Sequence, residues 1–197
     1  MSDPETLAVY AAKTEEYASI TSGPAARDPI LAAFVAALPS GGSVLDLGCG
    51  PGISAAIMAK AGLDVHAVDA VPEMIALAAQ EQGVRAEVKT FDEITGTDIY
   101  DGIWANFSLL HAERDALPRI LRSLHMALRT GGRFHIAMKL GDDTKRDTIG
   151  RKYTYVTEAE LRNLLGDAGF TVTNSVTGRD KGLDGTYADW IALAADG

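Results

Sequence analysis

The sequence predicts an α/β fold built on a seven-stranded, mostly parallel sheet with helices on both faces. Three observations predict it. From residue 43 onward, short apolar runs alternate with segments of helical period, and parallel neighbours need crossover connections of about helix length. A glycine-rich turn, Gly48-Cys49-Gly50-Pro51-Gly52, follows the first apolar run and opens a helix. The last two strands have no helix between them, so they read as an antiparallel pair closing one edge. At 197 residues, 47% hydrophobic and 23% charged, the chain reads as one globular domain, 1–197, with residues 1–40 as an N-terminal helical cap.

Each element has its own signal. Residues 4–19 are helix-like, with Leu7, Tyr10, Ala11 and Tyr17 on one face, and residues 21–23 break the pattern. Asp28-Pro29 is a cap and first-turn pair for a second helix carrying Ile30, Leu31, Phe34, Val35 and Leu38. Strands are expected at 43–47, 64–68, 86–91, 100–105, 133–138, 170–176 and 188–194. Helices are expected at 53–61, stopped by Gly62, at 72–82, stopped by Gly83, and at 116–128, ending at Gly131-Gly132. A last helix, 157–168, opens with Thr157-Glu158-Ala159-Glu160 as a capping box.

The glycine turn sits where a nucleotide cofactor binds, because glycine lets a ligand approach the main chain and the following helix aims free N–H groups at it. Asp69 ends the next strand, and a carboxylate there can accept from both hydroxyls of a ribose. Gly48, Gly50 and Gly52 follow the pattern G-x-G-x-G, with Ile53 where a dinucleotide fingerprint runs on to its third glycine. Asp46 would repel a pyrophosphate but can orient water or an ammonium group. Ile53 and Pro51 therefore disfavour a nicotinamide oxidoreductase, which stays the alternative enzyme; a non-catalytic cofactor-binding module is the third reading.

Residues 44–52 resemble motif I of the class I S-adenosylmethionine-dependent methyltransferases, and Asp69 matches their ribose-binding acid. The resemblance continues through Phe91-Asp92, the strand 100–105 and Leu128-Arg129-Thr130-Gly131-Gly132-Arg133, where Thr130 replaces the proline of an L-x-P-G-G turn. It implies a Rossmann-like three-layer sandwich, S-adenosyl-L-methionine as cofactor and in-line methyl transfer to a small-molecule acceptor. Residues 108–111, 138–141 and 147–153 more narrowly resemble small bacterial methyltransferases distantly similar to the tellurite-resistance enzymes, although Ile53-Ser54 stand where relatives often carry Arg-Asp. By this resemblance Gly48 and Gly50 approach the methionine part, with Asp46 and Cys49 beside them. Asp69 holds the ribose, Ala70 and Met74 lie near the adenine, and Phe91 and Asp92 flank it. Asn106 and Phe107 sit below the sulfonium, and Tyr17 covers the cofactor's carboxylate end.

On the acceptor side His111 follows the fourth strand at the ligand-binding edge and is the candidate general base; the competing reading is a loop histidine capping backbone groups. Lys139, Arg151 and Tyr153 are candidates for an anion-recognising, substrate-binding lid, against a solvated loop paired with Asp142, Asp143 and Asp147. Candidate acceptors are an anion, a thiol or a phenol. Trp190, His66 and His125 read as structural.

The net charge of −9 and the lack of a Lys/Arg cluster argue against nucleic acid and against a polybasic membrane anchor. Cys49, the single cysteine, reads as a buried filler; no disulfide within the chain and no cysteine metal site can form, and no metal is expected. The start of the chain lacks signal-peptide character and no apolar stretch spans a bilayer, so a soluble cytoplasmic protein, monomer or homodimer, is expected.

Overall fold

The computed structural model describes residues 3–25 and 27–197. Three helices come first: α1 (Pro4–Ala12), α2 (Thr14–Ala25) and α3 (Pro29–Ala36). The single helix expected over 4–19 is in fact two. The break falls at Lys13, and α2 runs through 21–23 without interruption. The cause is local: Thr14 Oγ1 donates back to the carbonyls of Tyr10 (2.9 Å) and Ala11 (3.0 Å), and such back-bonding competes with the helical ladder. Asp28 caps α3 as expected, accepting from Ile30 N at 2.8 Å.

Strand and helix then alternate through β1 (Ser43–Leu47), α4 (Ile53–Lys60), β2 (Asp64–Asp69), α5 (Pro72–Ala78) and β3 (Val84–Val88). The chain returns to the middle of the sheet with β4 (Tyr100–Asn106), α6 (Leu117–Ala127) and β5 (Leu128–Lys139). A short hairpin, β6 (Thr144–Arg146) and β7 (Lys152–Thr154), precedes α7 (Glu158–Ala168), and β8 (Thr171–Lys181) and β9 (Tyr187–Asp196) end the chain. The seven-stranded sheet has the order β3-β2-β1-β4-β5-β9-β8, with β9 antiparallel to both neighbours. The order reverses between β1 and β4, and in such sheets ligands bind outside the carboxyl ends of the strands at that point.

Side chains alternate across the sheet. Val44, Val65, Ala67 and Trp104 join one core with Leu31, Phe34 and Met58 of the helices. Leu45, Leu47, Ile103 and Phe134 join the other with α6 and α7. The α6 stripe is Leu117, Ile120, Leu121, Leu124 and Ala127, all buried at helical spacing. Two cores on one sheet make three layers.

Boundaries differ from expectation where local polar bonds decide. α5 stops at Ala78, β3 starts directly after Gly83, and Phe91–Glu93 is a 3₁₀ turn and not the end of a strand. Glu93 and Thr90 close that turn reciprocally, Thr90 N donating to the Glu93 carboxylate at 2.8 Å. β5 begins at Leu128 and absorbs Gly131-Gly132 as a register shift opposite Tyr100 and Gly102. Thr157 does cap α7, accepting from Glu160 N at 3.1 Å. The other half of the expected capping box is missing, because the Glu160 carboxylate pairs with Arg114. No helix among the described residues is long and apolar enough to cross a membrane.

Gly102 lets α3 seat on β4: a Cβ there would come within 2.8 Å of Leu38 and 2.9 Å of Phe34. Gly102→Val is expected to destabilise the protein by about 1–3 kcal/mol through overpacking, seen as a melting temperature several degrees lower in scanning calorimetry.

Candidate active site

The site begins where β1 ends. Gly48 and Cys49 donate their backbone N–H groups to Val68 O at 2.8 and 2.9 Å, tying the loop to β2. Gly48 has a φ of +69°, and a Cβ there would lie 2.4 Å from Ser108, so a side chain fails both on conformation and on space. Gly52, φ +85°, lets α4 approach Ala78 of α5 at a distance no Cβ would allow. The third glycine thus serves helix packing, one position earlier than in a dinucleotide loop.

Asp69 is held entirely by backbone. One oxygen accepts from Gly50 N and the other from Val71 N, both at 2.9 Å. Asp46 is different. It is 3% exposed, and its Oδ2 is sealed from solvent with no hydrogen-bond partner. Burial, reinforced by Asp69, pushes its carboxyl up to about 7. A buried carboxylate oxygen without a donor is costly, and Asp46 as a residue lines a cavity.

That cavity measures about 600 Å³ and reaches from Asp46 and the glycine loop to Lys139, Arg151, Tyr153 and Trp190. A smaller chamber of about 70 Å³ adjoins it, lined by Asp69, Ala70, Met74, Phe91 and His111. Both share Tyr10, Tyr17, Gly48, Gly50, Asn106 and Phe107. Tyr17 lies over Gly50, and Tyr10 meets it edge to face at 5.5 Å between ring centres. Phe107 holds a left-handed backbone, φ +54°, unusual for an aromatic residue and a form of strain that clusters at ligand sites.

Of the residues singled out from sequence, the structure brings Tyr17, Asp46, Gly48, Cys49, Gly50, Asn106, Phe107, Lys139, Arg151 and Tyr153 onto the larger cavity. Asp69, Ala70, Met74, Phe91 and His111 fall on the smaller. Asp92 lines neither; its carboxylate accepts from Arg119 at 2.8 Å. Burial pushes the Cys49 thiol far up, which keeps it an inert filler.

His111 offers no free nitrogen. Its Nδ1–H donates to Lys152 O at 2.8 Å, and its Nε2 accepts from the Tyr10 hydroxyl at 2.9 Å. Burial holds the imidazole down to about 4, so it is neutral at physiological pH and can accept. The Tyr10 oxygen in turn accepts from Arg151 Nη1 at 3.0 Å, and Arg151 Nε donates to Asp147 at 2.8 Å. Arg151 and Asp147 form a buried ion pair, their side chains 3% and 5% exposed, in place of the solvated pairing that was the alternative. Further bonds tie α1 to the β6–β7 hairpin: Arg146 to Asp3 at 2.8 Å, and Lys152 N to Thr6 Oγ1 at 2.8 Å.

Lys139 is half-buried, its Nζ 3.8 Å from the centre of the Tyr153 ring. Burial, then the charge of Arg151, pulls its ammonium down. Among the described residues no carboxylate pairs with it within ion-pair distance. Sequence reasoning missed the β8 residues Asp180 and Lys181 on the cavity wall and the roles of Tyr10 and His135, and it placed the Asp147 pairing in solvent when the pair is buried. The aromatic face containing Tyr10 was visible; a partner 101 positions away was not.

A family model described as "Methyltransferase domain" matches residues 17–175. The structure is similar to the 1,6-didemethyltoxoflavin-N1-methyltransferase of Burkholderia thailandensis, solved with bound 1,6-didemethyltoxoflavin and S-adenosylhomocysteine (TM-score 0.79, 29% identity, 98% of this chain and 87% of that one). Its fold also matches a TehB-like S-adenosylmethionine-dependent methyltransferase of Corynebacterium glutamicum (TM-score 0.69, 22% identity, 93% and 97% covered). The ubiquinone biosynthesis O-methyltransferase of Xanthomonas axonopodis pv. citri is 28% identical over 121 residues, 57% of this chain and 50% of that protein. The chain spans half or less of the curated relatives it matches.

Two outcomes follow from the geometry. A carboxyl raised by folding binds more protons in the folded state than in the unfolded one, so its contribution to stability is lost as pH rises from about 4 through about 7. Asp46→Asn is therefore expected to gain stability relative to the unmodified ligand-free protein across that window, by up to a few kcal/mol; melting temperatures at pH 5 and pH 8 check it. Arg151→Met leaves Asp147 buried and unpaired, which should cost about 3–5 kcal/mol. Adding Asp147→Asn should recover part of that loss in denaturant titrations.

Proposed function

Since this chain belongs to the class I S-adenosylmethionine-dependent methyltransferases, we propose that it methylates a small, planar acceptor bound as an anion in the larger cavity. The residues present fit the cofactor. Asp46 has an orphaned buried oxygen that suits an ammonium group, and the glycine turn leaves open backbone beside it. In this reading Asp46, Gly48, Cys49 and Gly50 hold the amino-acid end, and Asp69 the ribose. Ala70, Met74 and Phe91 line the adenine chamber. When bound, S-adenosylmethionine supplies a methyl group already activated on a sulfonium, which passes in line to the acceptor.

The protein's own work is then positioning and exclusion of water. Tyr10 and Tyr17 close the cleft from the N-terminal helices, the 1–40 region acting as the cap. Tyr153, Phe107 and Trp190 supply flat apolar surface for a planar ring. Lys139 attracts its negative charge, while Arg151, paired with Asp147, holds Tyr10 in place. The observation that carries the acceptor's charge is Lys139: a half-buried ammonium in the cavity wall with no carboxylate partner among the described residues. His111 is assigned to the lid and not to proton removal, since Tyr10 occupies its only acceptor nitrogen. An acceptor that arrives ionised needs no base. Methyl transfer to a planar acceptor, as suggested by the relative that binds 1,6-didemethyltoxoflavin, is compatible with the size and lining of the cavity.

The test is a mass-spectrometric screen for methylated product and S-adenosylhomocysteine. The panel holds phenols, thiols, acidic heterocycles, 1,6-didemethyltoxoflavin and, as the opposing arm, neutral and cationic amines. Turnover confined to amines, or none at all with the cofactor bound, would overturn the reading. Two further outcomes are expected. Lys139→Met should lower kcat/KM for an ionised acceptor about tenfold or more, with S-adenosylhomocysteine affinity within twofold of the unmodified protein. Cofactor affinity should rise with pH up to about 7, because a bound ammonium favours the ionised Asp46; calorimetric titrations at pH 5.5 and 8 check the sign.

A further inference from the structure

His135 lies outside the cavity lining, in the middle of β5, and neither the sequence motifs nor the cofactor cradle gives it a task. It is 2% exposed. Register pairs it with Trp104 on β4, and the two rings stack at 3.7 Å and 15°. Asn106, two residues beyond Trp104 on the same face of β4, is the only polar partner its ring has among the hydrogen bonds of the described residues: Nε2 meets Asn106 Oδ1 at 3.0 Å.

The Asn106 carboxamide turns its oxygen, not its NH2, toward the ring. A carbonyl oxygen can only accept, so Nε2 carries the hydrogen and donates. Burial holds the imidazole down to about 3, so the ring stays neutral and keeps that single tautomer through the physiological range. The stack on Trp104 fixes the ring plane. With its oxygen committed to His135, the Asn106 carboxamide must direct its NH2 the other way. Asn106 lines both chambers of the cleft, and among the described residues its NH2 has no partner in the protein.

We propose that His135 is a positioning residue, which pins the Asn106 carboxamide so that its NH2 stands as a fixed neutral donor at the junction of the cofactor and acceptor chambers. The importance of that junction rests on the methyltransferase reading of the cleft; the pinning itself does not. A fixed donor there favours a ligand atom with a lone pair, a carbonyl oxygen or an unprotonated ring nitrogen, next to the reacting centre. It disfavours a ligand N–H at the same place, because two donors would face each other without water. Left free, the carboxamide could present either end and would discriminate neither.

The experiment uses ¹⁵N-labelled full-length protein with and without S-adenosylhomocysteine. Long-range ¹H–¹⁵N correlation spectra should show His135 with Nε2 protonated and Nδ1 bare, unchanged between pH 5 and pH 8, and a resolved, sharp Asn106 side-chain NH2 pair. In His135→Phe, which keeps a flat ring against Trp104 but no donor, that pair should lose its dispersion and exchange with solvent at least tenfold faster. In His135→Gln, whose own amide can donate, the pair should stay resolved. An Nδ1–H tautomer or a protonated ring in the unmodified protein overturns the proposal without any variant having to fold. So does an Asn106 pair that His135→Phe leaves unmoved. Failure of S-adenosylhomocysteine to bind the unmodified protein would instead count against the methyltransferase reading, with the tautomer result standing separately.

Discussion

The site depends on two carboxylates set next to each other at the ends of β1 and β2, Asp46 buried and Asp69 half-buried. Burying like charges together is unfavourable unless each finds donors. Asp69 finds them in the backbone, and in doing so shapes the glycine turn: the bonds from Gly50 N and Val71 N hold both loops at the carboxyl edge of the sheet. Asp46 keeps one oxygen unsatisfied. That oxygen is a local cost to the fold, which a cation bound beside it would offset. Any ligand that binds the folded form more tightly than the unfolded one adds to stability, and here that gain is concentrated at one oxygen atom.

The cap is attached by a different kind of force. Among its described residues, α1 fully buries only Thr6, with Leu7, Val9, Tyr10 and Ala11 half-buried. Asp3, Thr6 and Tyr10 bind the hairpin and the turn after β4 through hydrogen bonds and ion pairs. Each such bond contributes on the order of 1 kcal/mol net. A segment held that way can open locally without unfolding the sheet, and elements that admit ligands tend to come from the less stable end of a structure. The neutral state of His111 matters for this: a protonated imidazole could not accept from Tyr10.

How much of this could be read from the sequence follows from the range over which each interaction acts. The strands, their order of appearance and the glycine turn were legible because they rest on local period and on backbone conformation near residues 48–52. Asp28 and Thr157 announced their helices because a cap acts over two or three residues. The break at Lys13 was missed because it depends on a rotamer choice at Thr14. The β6–β7 hairpin and the long arms of β8 and β9 carry mixed polar residues with no clean alternation, so nothing local marked them as strands. In the site, Asp46 and Asp69 stood in recognisable places. Tyr10 and His135 act through partners far along the chain or on a neighbouring strand, which only the folded register brings together; Asp147 lies four residues from Arg151, and what the sequence did not show was that this local pair is buried.

Range also decides how an acidic protein can present a half-buried cation, Lys139, in the wall of its cavity. With a net charge of −9, the long-range field repels an anion. That field is screened over about 8–10 Å in physiological salt, so it affects how often an anion arrives more than how firmly it is held. Inside the cleft the near charges decide. Asp147 neutralises Arg151 and fixes its guanidinium against Tyr10; of the other cations on the cavity wall, Arg27 and Lys181 are exposed and Lys139 is half-buried, with no carboxylate in ion-pair distance of it among the described residues. Its position against the Tyr153 ring partly replaces lost hydration. A planar anion lying there would gain the attraction of Lys139 and the flat faces of Tyr153 and Trp190 together, whereas a neutral ring would gain only the second and a cation would lose on the first. On the proposed function, discrimination would come from the half-buried Lys139 ammonium and its desolvation, while the buried Arg151–Asp147 pair serves as scaffold.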